Sequence, residues 1–185
     1  MAKDPGFIKG KHILAVDDER DVIETIQELL SEAKLDCAYD YKSASEKIRQ
    51  NHYDLAILDI MGVRGLKLLE ECVEQNIPAV MLTANAMNAE ALIESIKKGA
   101  ISYLSKEHLS ELDYLINELM EAGNKGIPAW KLLFDKLSPQ FDKNFGKDWK
   151  NEHKNFWNEF EKTWQVSRGI QERVMRNKNI INKGI

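Results

Sequence analysis

Short apolar runs alternate with longer amphipathic stretches along the first two thirds of the chain. The run Leu55-Ala-Ile-Leu58 is the most apolar of them. Four residues are too few for a buried helix and suit a strand covered on both faces of a parallel sheet. Comparable runs predict strands at His12–Val16, Leu35–Tyr39, Ala79–Leu82 and Ile101–Leu104. Between them, apolar residues recur at spacings of three and four. Val22, Ile23, Ile26, Leu29, Leu30 and Ala33 line one helix; Leu66, Leu69, Cys72 and Val73 another. Ala89, Leu92, Ile93 and Ile96 mark a third, stopped by Gly99; Leu109, Leu112, Leu115, Ile116 and Leu119 mark a fourth. A short helix over Ser43–Gln50 takes Ser43 as its N-cap. Strand and helix alternating five times imply parallel pairing with right-handed crossovers, an α/β doubly wound sheet.

The polar residues that end the strands give this pattern its chemistry. Asp17, Asp18, Asp59, Thr83 and Lys106 each follow an apolar run. In an open α/β sheet the working groups lie beyond the carboxyl ends of the strands. Residues distant in sequence therefore converge on one crevice holding three carboxylates, a hydroxyl and an ammonium. An isolated aspartate after a strand is ordinarily a solvated cap; five such groups on one sheet edge make a functional site the better reading.

Charge divides the chain. Residues 1–125 contain 14 Lys+Arg and 23 Asp+Glu, a net −9, and residues 126–185 contain 12 and 7, a net +5. All four tryptophans, Trp130, Trp149, Trp157 and Trp164, fall in the second part. The division predicts one domain over 10–123 and a helical, aromatic-rich extension over 124–185. No apolar run approaches the roughly 20 residues a membrane span needs, and Met1–Gly10 lacks the apolar centre of a signal peptide. The expectation is a cytoplasmic protein. Cys37 and Cys72 read as two small buried hydrophobes, and the four histidines are scattered, so no zinc site is indicated.

The segments Val16-Asp-Asp-Glu19, Leu58-Asp-Ile-Met61, Met81-Leu-Thr-Ala84 and Gly99-Ala100 through Tyr103-Leu-Ser-Lys106 stand in receiver-like order and spacing. Over about Lys11 to Ala122 the chain resembles the receiver domain of two-component response regulators, the CheY-like family. The resemblance implies a flavodoxin-like sheet of strand order 2-1-3-4-5 and phosphorylation of Asp59 by a histidine kinase. It implies a Mg²⁺ ion held by Asp18, by Asp17 through a water, by Asp59 and by the backbone carbonyl of Met61. It assigns Lys106 and Thr83 to the phosphoryl group, and Thr83 with Tyr103 to the conformational switch. Two departures stand out. The loop after Asp59 is short and lacks the usual proline, and Glu107 stands where proline commonly follows the lysine. Arg64, in that short loop, reads as a solvated residue rather than a phosphate ligand.

Beyond Pro128 the resemblance ends. Phe141, Phe145, Trp149, His153, Phe156, Phe160 and Trp164 recur every three or four residues. They predict one face of a long helix beginning near Ser138-Pro139, interrupted near 167–169 and continued weakly by Ile170, Val174 and Ile180. So aromatic a face requires a covering partner. It is expected to be buried on the receiver or against a second copy. The chain as a whole then reads as a phosphorylation-dependent switch without enzymatic output, acting on a protein partner or by self-association. The second reading is a transcriptional regulator that binds DNA through its basic tail. No helix-turn-helix pattern supports it, so nucleic acid ranks below a protein partner, and a membrane is not expected. The tail has no nucleophile–base cluster, so an enzyme is the least supported reading.

Overall fold

The computed structural model describes residues 6–84, 89–127, 129–130, 132, 141–143 and 145–163. Five parallel strands form one sheet in the order β2-β1-β3-β4-β5. They are β1 (His12–Val16), β2 (Lys34–Ala38), β3 (Leu55–Asp59), β4 (Ala79–Thr83) and β5 (Ser102–Ser105). The helices between them are α1 (Arg20–Leu29), α2 (Tyr41–Gln50), α3 (Gly65–Glu74) and α4 (Ala89–Lys97), with α5 (Leu112–Asn124) after β5. The alternation of strands and helices predicted the doubly wound parallel sheet, and its strand order is the CheY-like one that the resemblance to receiver domains implied. Every residue of β3, β4 and β5 is buried, as expected of strands covered on both faces, whereas the edge strand β2 is half-exposed.

Helix α1 packs beside α5, and α2 beside α3. The α2–α3 contact is polar at its rim. Glu71 Oε1 accepts from the Tyr41 hydroxyl, while its Oε2 accepts from the Ser45 hydroxyl at 2.6 Å and lies 3.4 Å from Arg49. Before β1, the Asn117 side chain of α5 accepts from the Phe7 and Ile8 amides at 2.7 and 3.2 Å. That pair ties the entering chain to the last receiver helix.

Strands β2 and β5 are each shifted by one residue from the sequence reading, to Lys34–Ala38 and Ser102–Ser105, and two helix starts differ as well. Helix α2 begins at Tyr41, and its N-cap is Asp40 rather than Ser43; the Asp40 carboxylate accepts from the Ser43 amide at 2.9 Å. A carboxylate caps as well as a hydroxyl and adds charge complementarity to the helix dipole. Leu109 belongs to a 3-10 turn, Lys106–Glu111, and only from Leu112 does the chain become α-helical.

The tail is corrected more substantially. Residues 141–143 and 145 are helical, but Gly146 sits at φ 87° and ends that segment. A 3-10 turn, Asn151–His153, follows, and then a separate helix α6, Lys154–Thr163. The expected single long helix is therefore broken, because the left-handed backbone at Gly146 cannot continue it. The break folds the aromatic residues onto one another. Trp149 meets Trp157 edge-on at 4.9 Å and Phe145 at 5.0 Å, and its indole N–H donates to Asp142. Phe141, Trp149, Phe156, Trp157 and Phe160 are all buried in a cluster continuous with the receiver core. Trp157, left out of the expected stripe, lies four residues after His153 and three before Phe160, so the helical period itself puts it on the buried face of α6 beside Phe156 and Phe160. Phe145 and His153 are half-buried. Ser138, Pro139, Trp164, Ile170, Val174 and Ile180 lie outside the described residues.

The tail docks where α4 passes into β5. The Trp130 indole donates to the Ala100 carbonyl at 2.8 Å, and Lys97 lies over the Phe156 ring at 5.6 Å. Trp130 in turn meets Phe160 edge-on at 6.0 Å. The covering partner is thus the chain's own receiver. Among the described residues no helix is long and apolar enough to cross a membrane.

Candidate phosphoryl-acceptor site

Strand register brings the site together. Val16 pairs with Leu58 in the parallel β1–β3 ladder, so Asp17 and Asp59, each one residue further on, leave the same edge side by side. Asp59 pairs with Leu82 and Thr83 with Ser105, which places Thr83 and then Lys106 along that edge. Carboxylate oxygens of Asp17, Asp18 and Asp59 all lie within 4.8 Å of one another. Asp17 and Asp59 are buried and Asp18 is exposed, so the trio opens to solvent on one side.

Lys106 crosses the sheet edge to reach these groups. Its ammonium is 2.8 Å from Asp17 Oδ2, 3.1 Å from Asp59 Oδ1 and 2.7 Å from Glu19 Oε1. Burial alone would lower its affinity for a proton, but the carboxylates of Asp17, Glu19 and Asp59 raise it well above the ordinary lysine value. For Asp17 the balance falls the other way. Burial pushes its carboxyl above the usual aspartate value, assisted by the Asp59 charge and only partly offset by Lys106.

Asp59 is held from two sides. Lys106 faces Oδ1, while Oδ2 accepts from the backbone amides of Met61 and Gly62 at 3.0 and 2.8 Å. A carboxylate so tethered presents a fixed orientation to an incoming electrophile. Met61 meets the site through its amide, and its side chain is 81% exposed. Thr83 is buried at the end of β4, and its hydroxyl donates to the Ala84 carbonyl at 3.2 Å. Tyr103 is fully buried in β5. Its hydroxyl lies near that of Thr83 without forming a well-directed hydrogen bond, and burial pushes it up to about 12. Arg64 is exposed at φ 57° with its guanidinium over the Tyr41 ring, apart from the acidic trio.

Two residues at this site escaped the sequence reading. Glu19 is a third carboxylate on Lys106; its place after Asp17-Asp18 was the available signal. Gly62 supplies an amide to Asp59, and nothing in the sequence distinguished it from an ordinary turn glycine. Glu107, in place of proline, donates its amide to the Ser105 hydroxyl and so starts the 3-10 turn that leads Lys106 out of β5.

A five-stranded sheet with an acidic trio and a lysine at its carboxyl edge defines the receiver class. Residues 13–117 match the family described as the response regulator receiver domain, and this chain belongs to that family. The two-component response regulator ARR18 of Arabidopsis thaliana is 34% identical over 106 residues, 54% of this chain and 16% of that protein. The transcriptional regulatory protein DltR of Streptococcus agalactiae is 33% identical over 100 residues, 51% of this chain and 44% of that protein. The chain thus matches less than half the length of either relative. The solved receiver domain of Francisella response regulator 1452 is 30% identical with a TM-score of 0.54, covering 60% of this chain and 98% of that one.

Proposed function

We propose that this chain is a phosphorylation-dependent signalling switch in which Asp59 accepts a phosphoryl group from a histidine kinase. The observation that carries this reading is the position of Lys106, which bridges Asp59 and Asp17 at 3.1 and 2.8 Å on the crevice side of the sheet. Two anions must meet for transfer, and a buried ammonium beside the nucleophile offsets their repulsion. In the reaction an Asp59 carboxylate oxygen bonds to phosphorus. The phosphorus–nitrogen bond of the phosphohistidine breaks, and its electron pair stays on the imidazole, which takes up a proton. The amides of Met61 and Gly62 keep the carboxylate oriented throughout.

Three carboxylates so close together fit a small hard cation, and the exposure of Asp18 leaves it a route in. Mg²⁺ is the natural choice; Asp17, Asp18, Asp59 and the Met61 carbonyl would hold it, and it would neutralise charge on the phosphoryl oxygens. The Thr83 hydroxyl would leave the Ala84 carbonyl to donate to a phosphoryl oxygen. That move empties space beside the Tyr103 hydroxyl, whose lack of a directed partner leaves it ready to adjust.

Output passes to a protein partner or to self-association, and the tail at the α4–β5 junction is the part placed to respond. A DNA-binding output is the second reading. DltR is named as a transcriptional regulator, but the match reaches only 44% of that protein. Incubation with acetyl phosphate and Mg²⁺ should add one hydroxylamine-labile phosphoryl group, read by mass spectrometry, and Asp59→Asn should remove it. Equal labelling of Asp59→Asn would overturn the reading. Light scattering with and without beryllofluoride–Mg²⁺, and a mobility shift on DNA at two salt concentrations, separate the outputs.

A further inference from the structure

The short connection from β3 into α3 carries two glycines with different reasons to be glycine, Gly62 in the loop and Gly65 as the first residue of the helix. At Gly65 a Cβ would lie 1.9 Å from the Asp59 carbonyl oxygen. Backbone stands in the way, so any side chain there must move the strand end or the first turn of α3. At Gly62 a Cβ would lie 1.9 Å from Asp18 Oδ1, 2.3 Å from Cγ and 2.5 Å from Oδ2. There the obstruction is the whole carboxylate of one short, solvent-facing side chain. Gly62 is also not among the residues of positive φ, so the turn itself does not demand a glycine. What demands it is the carboxylate lying across its Cα. The same residue donates its amide to Asp59 Oδ2 at 2.8 Å.

We infer that Gly62 is a positioning residue for divalent-cation binding: it seats the Asp18 carboxylate in the acidic trio while its amide fixes Asp59. The inference rests on the metal reading under the proposed function. A methyl group at position 62 cannot share space with Asp18. The cheapest relief is rotation of the Asp18 carboxylate into solvent, since Asp18 is already exposed and its displacement breaks no buried contact. The fold survives such a rotation, but the trio loses the carboxylate through which the cation enters. The shortened loop makes this possible by bringing the third residue after Asp59 directly against Asp18.

The test uses the full chain as wild type, Gly62→Ala, Asp18→Ala and the double variant, with Mg²⁺ titrated calorimetrically and urea unfolding measured in EDTA. Gly62→Ala should lose about 10- to 100-fold in Mg²⁺ affinity, the range seen when a group that orients a metal ligand is altered. Its metal-free unfolding midpoint should stay near that of wild type. In the Asp18→Ala background the same substitution should change Mg²⁺ affinity little, because its effect runs through Asp18. Wild-type Mg²⁺ affinity in Gly62→Ala overturns the inference, as does an equal loss in the Asp18→Ala background. Should Gly62→Ala be destabilised, Asp18→Ala must restore it, and failure to do so also overturns the inference. If wild type and Asp18→Ala bind Mg²⁺ alike, the metal reading itself has failed, an outcome distinct from the others.

Discussion

Replacing Lys106 by methionine keeps the aliphatic stem and removes the ammonium from between Asp17 and Asp59. The side chain of Lys106 is 14% exposed and those of Asp17 and Asp59 are 0% and 5% exposed, so solvent screens these pairs weakly. At about 3 Å and an effective dielectric of about 20, each pair is worth about 5 kcal/mol of gross attraction. Desolvation offsets much of that, and breaking one side of a buried pair costs about 3–5 kcal/mol, because the remaining charge is left uncompensated. The Glu19 contact adds little, since that carboxylate is 62% exposed. Lys106→Met should therefore lose about 3–5 kcal/mol at pH 7 in EDTA, read by urea unfolding followed with circular dichroism. At about 2–4 °C per kcal/mol for a chain of this size, that loss lowers Tm by about 6–20 °C. The deficit should depend on pH in a defined sense. Burial already holds the Asp17 carboxyl above 3.8, and losing the ammonium raises it further. A carboxyl whose folded value exceeds its unfolded value contributes stability that is present below the unfolded value and lost as pH rises through the folded one. The gap between variant and wild type should thus narrow as pH is lowered from 7 toward 4. Added Mg²⁺ should stabilise the variant by about 2.7 kcal/mol at a hundredfold excess over the variant's own Kd, and it narrows the gap only by the amount by which the variant binds the ion more tightly than wild type does. Equal urea midpoints for the two proteins at pH 7 without metal would refute the argument that Lys106 compensates two buried negative charges.

Trp130→Phe keeps most of the apolar contact but leaves the Ala100 carbonyl without its indole donor, and should lose about 1–3 kcal/mol; an unchanged denaturation midpoint would show that the tail is not held at that point. Phe141→Ala empties a fully buried site in the aromatic cluster and should lose about 3–5 kcal/mol in the same assay, with a loss under 1 kcal/mol arguing against the packed tail. Glu71 is burdened by burial, yet hydrogen bonds from Ser45 and Tyr41 and the Arg49 charge hold its carboxyl below 4.5. Its contribution is therefore present above 4.5 and lost as pH falls through the lower folded value. Glu71→Gln should accordingly be destabilised at pH 7 and converge on wild type as pH falls through the lowered folded value of Glu71, a convergence visible in thermal melts of the pair run from pH 7 down into the acid range.

The receiver was legible in the sequence because its elements are specified locally. Leu55–Leu58 can only be a strand covered on both faces, and the 3.6-residue stripes between such runs can only be helices covering them. With five alternations and right-handed crossovers, chain order alone puts Asp17, Asp59, Thr83 and Lys106 on one edge. The tail was legible only as an aromatic stripe in need of cover. Periodicity continues through Gly146 as though the helix did, and spacing does not record whether a glycine adopts φ 87°. That one backbone conformation turned a long helix into two packed segments, which pack against the receiver's own α4–β5 junction. Within the site the sequence determined which groups were present, and tertiary structure decided how they meet. Glu19 reaches Lys106, the Thr83 hydroxyl donates to the Ala84 carbonyl, and Gly62 lies beneath Asp18. Contacts of this kind depend on register, loop length and rotamer, which are set by packing across the whole sheet rather than by neighbours in the chain.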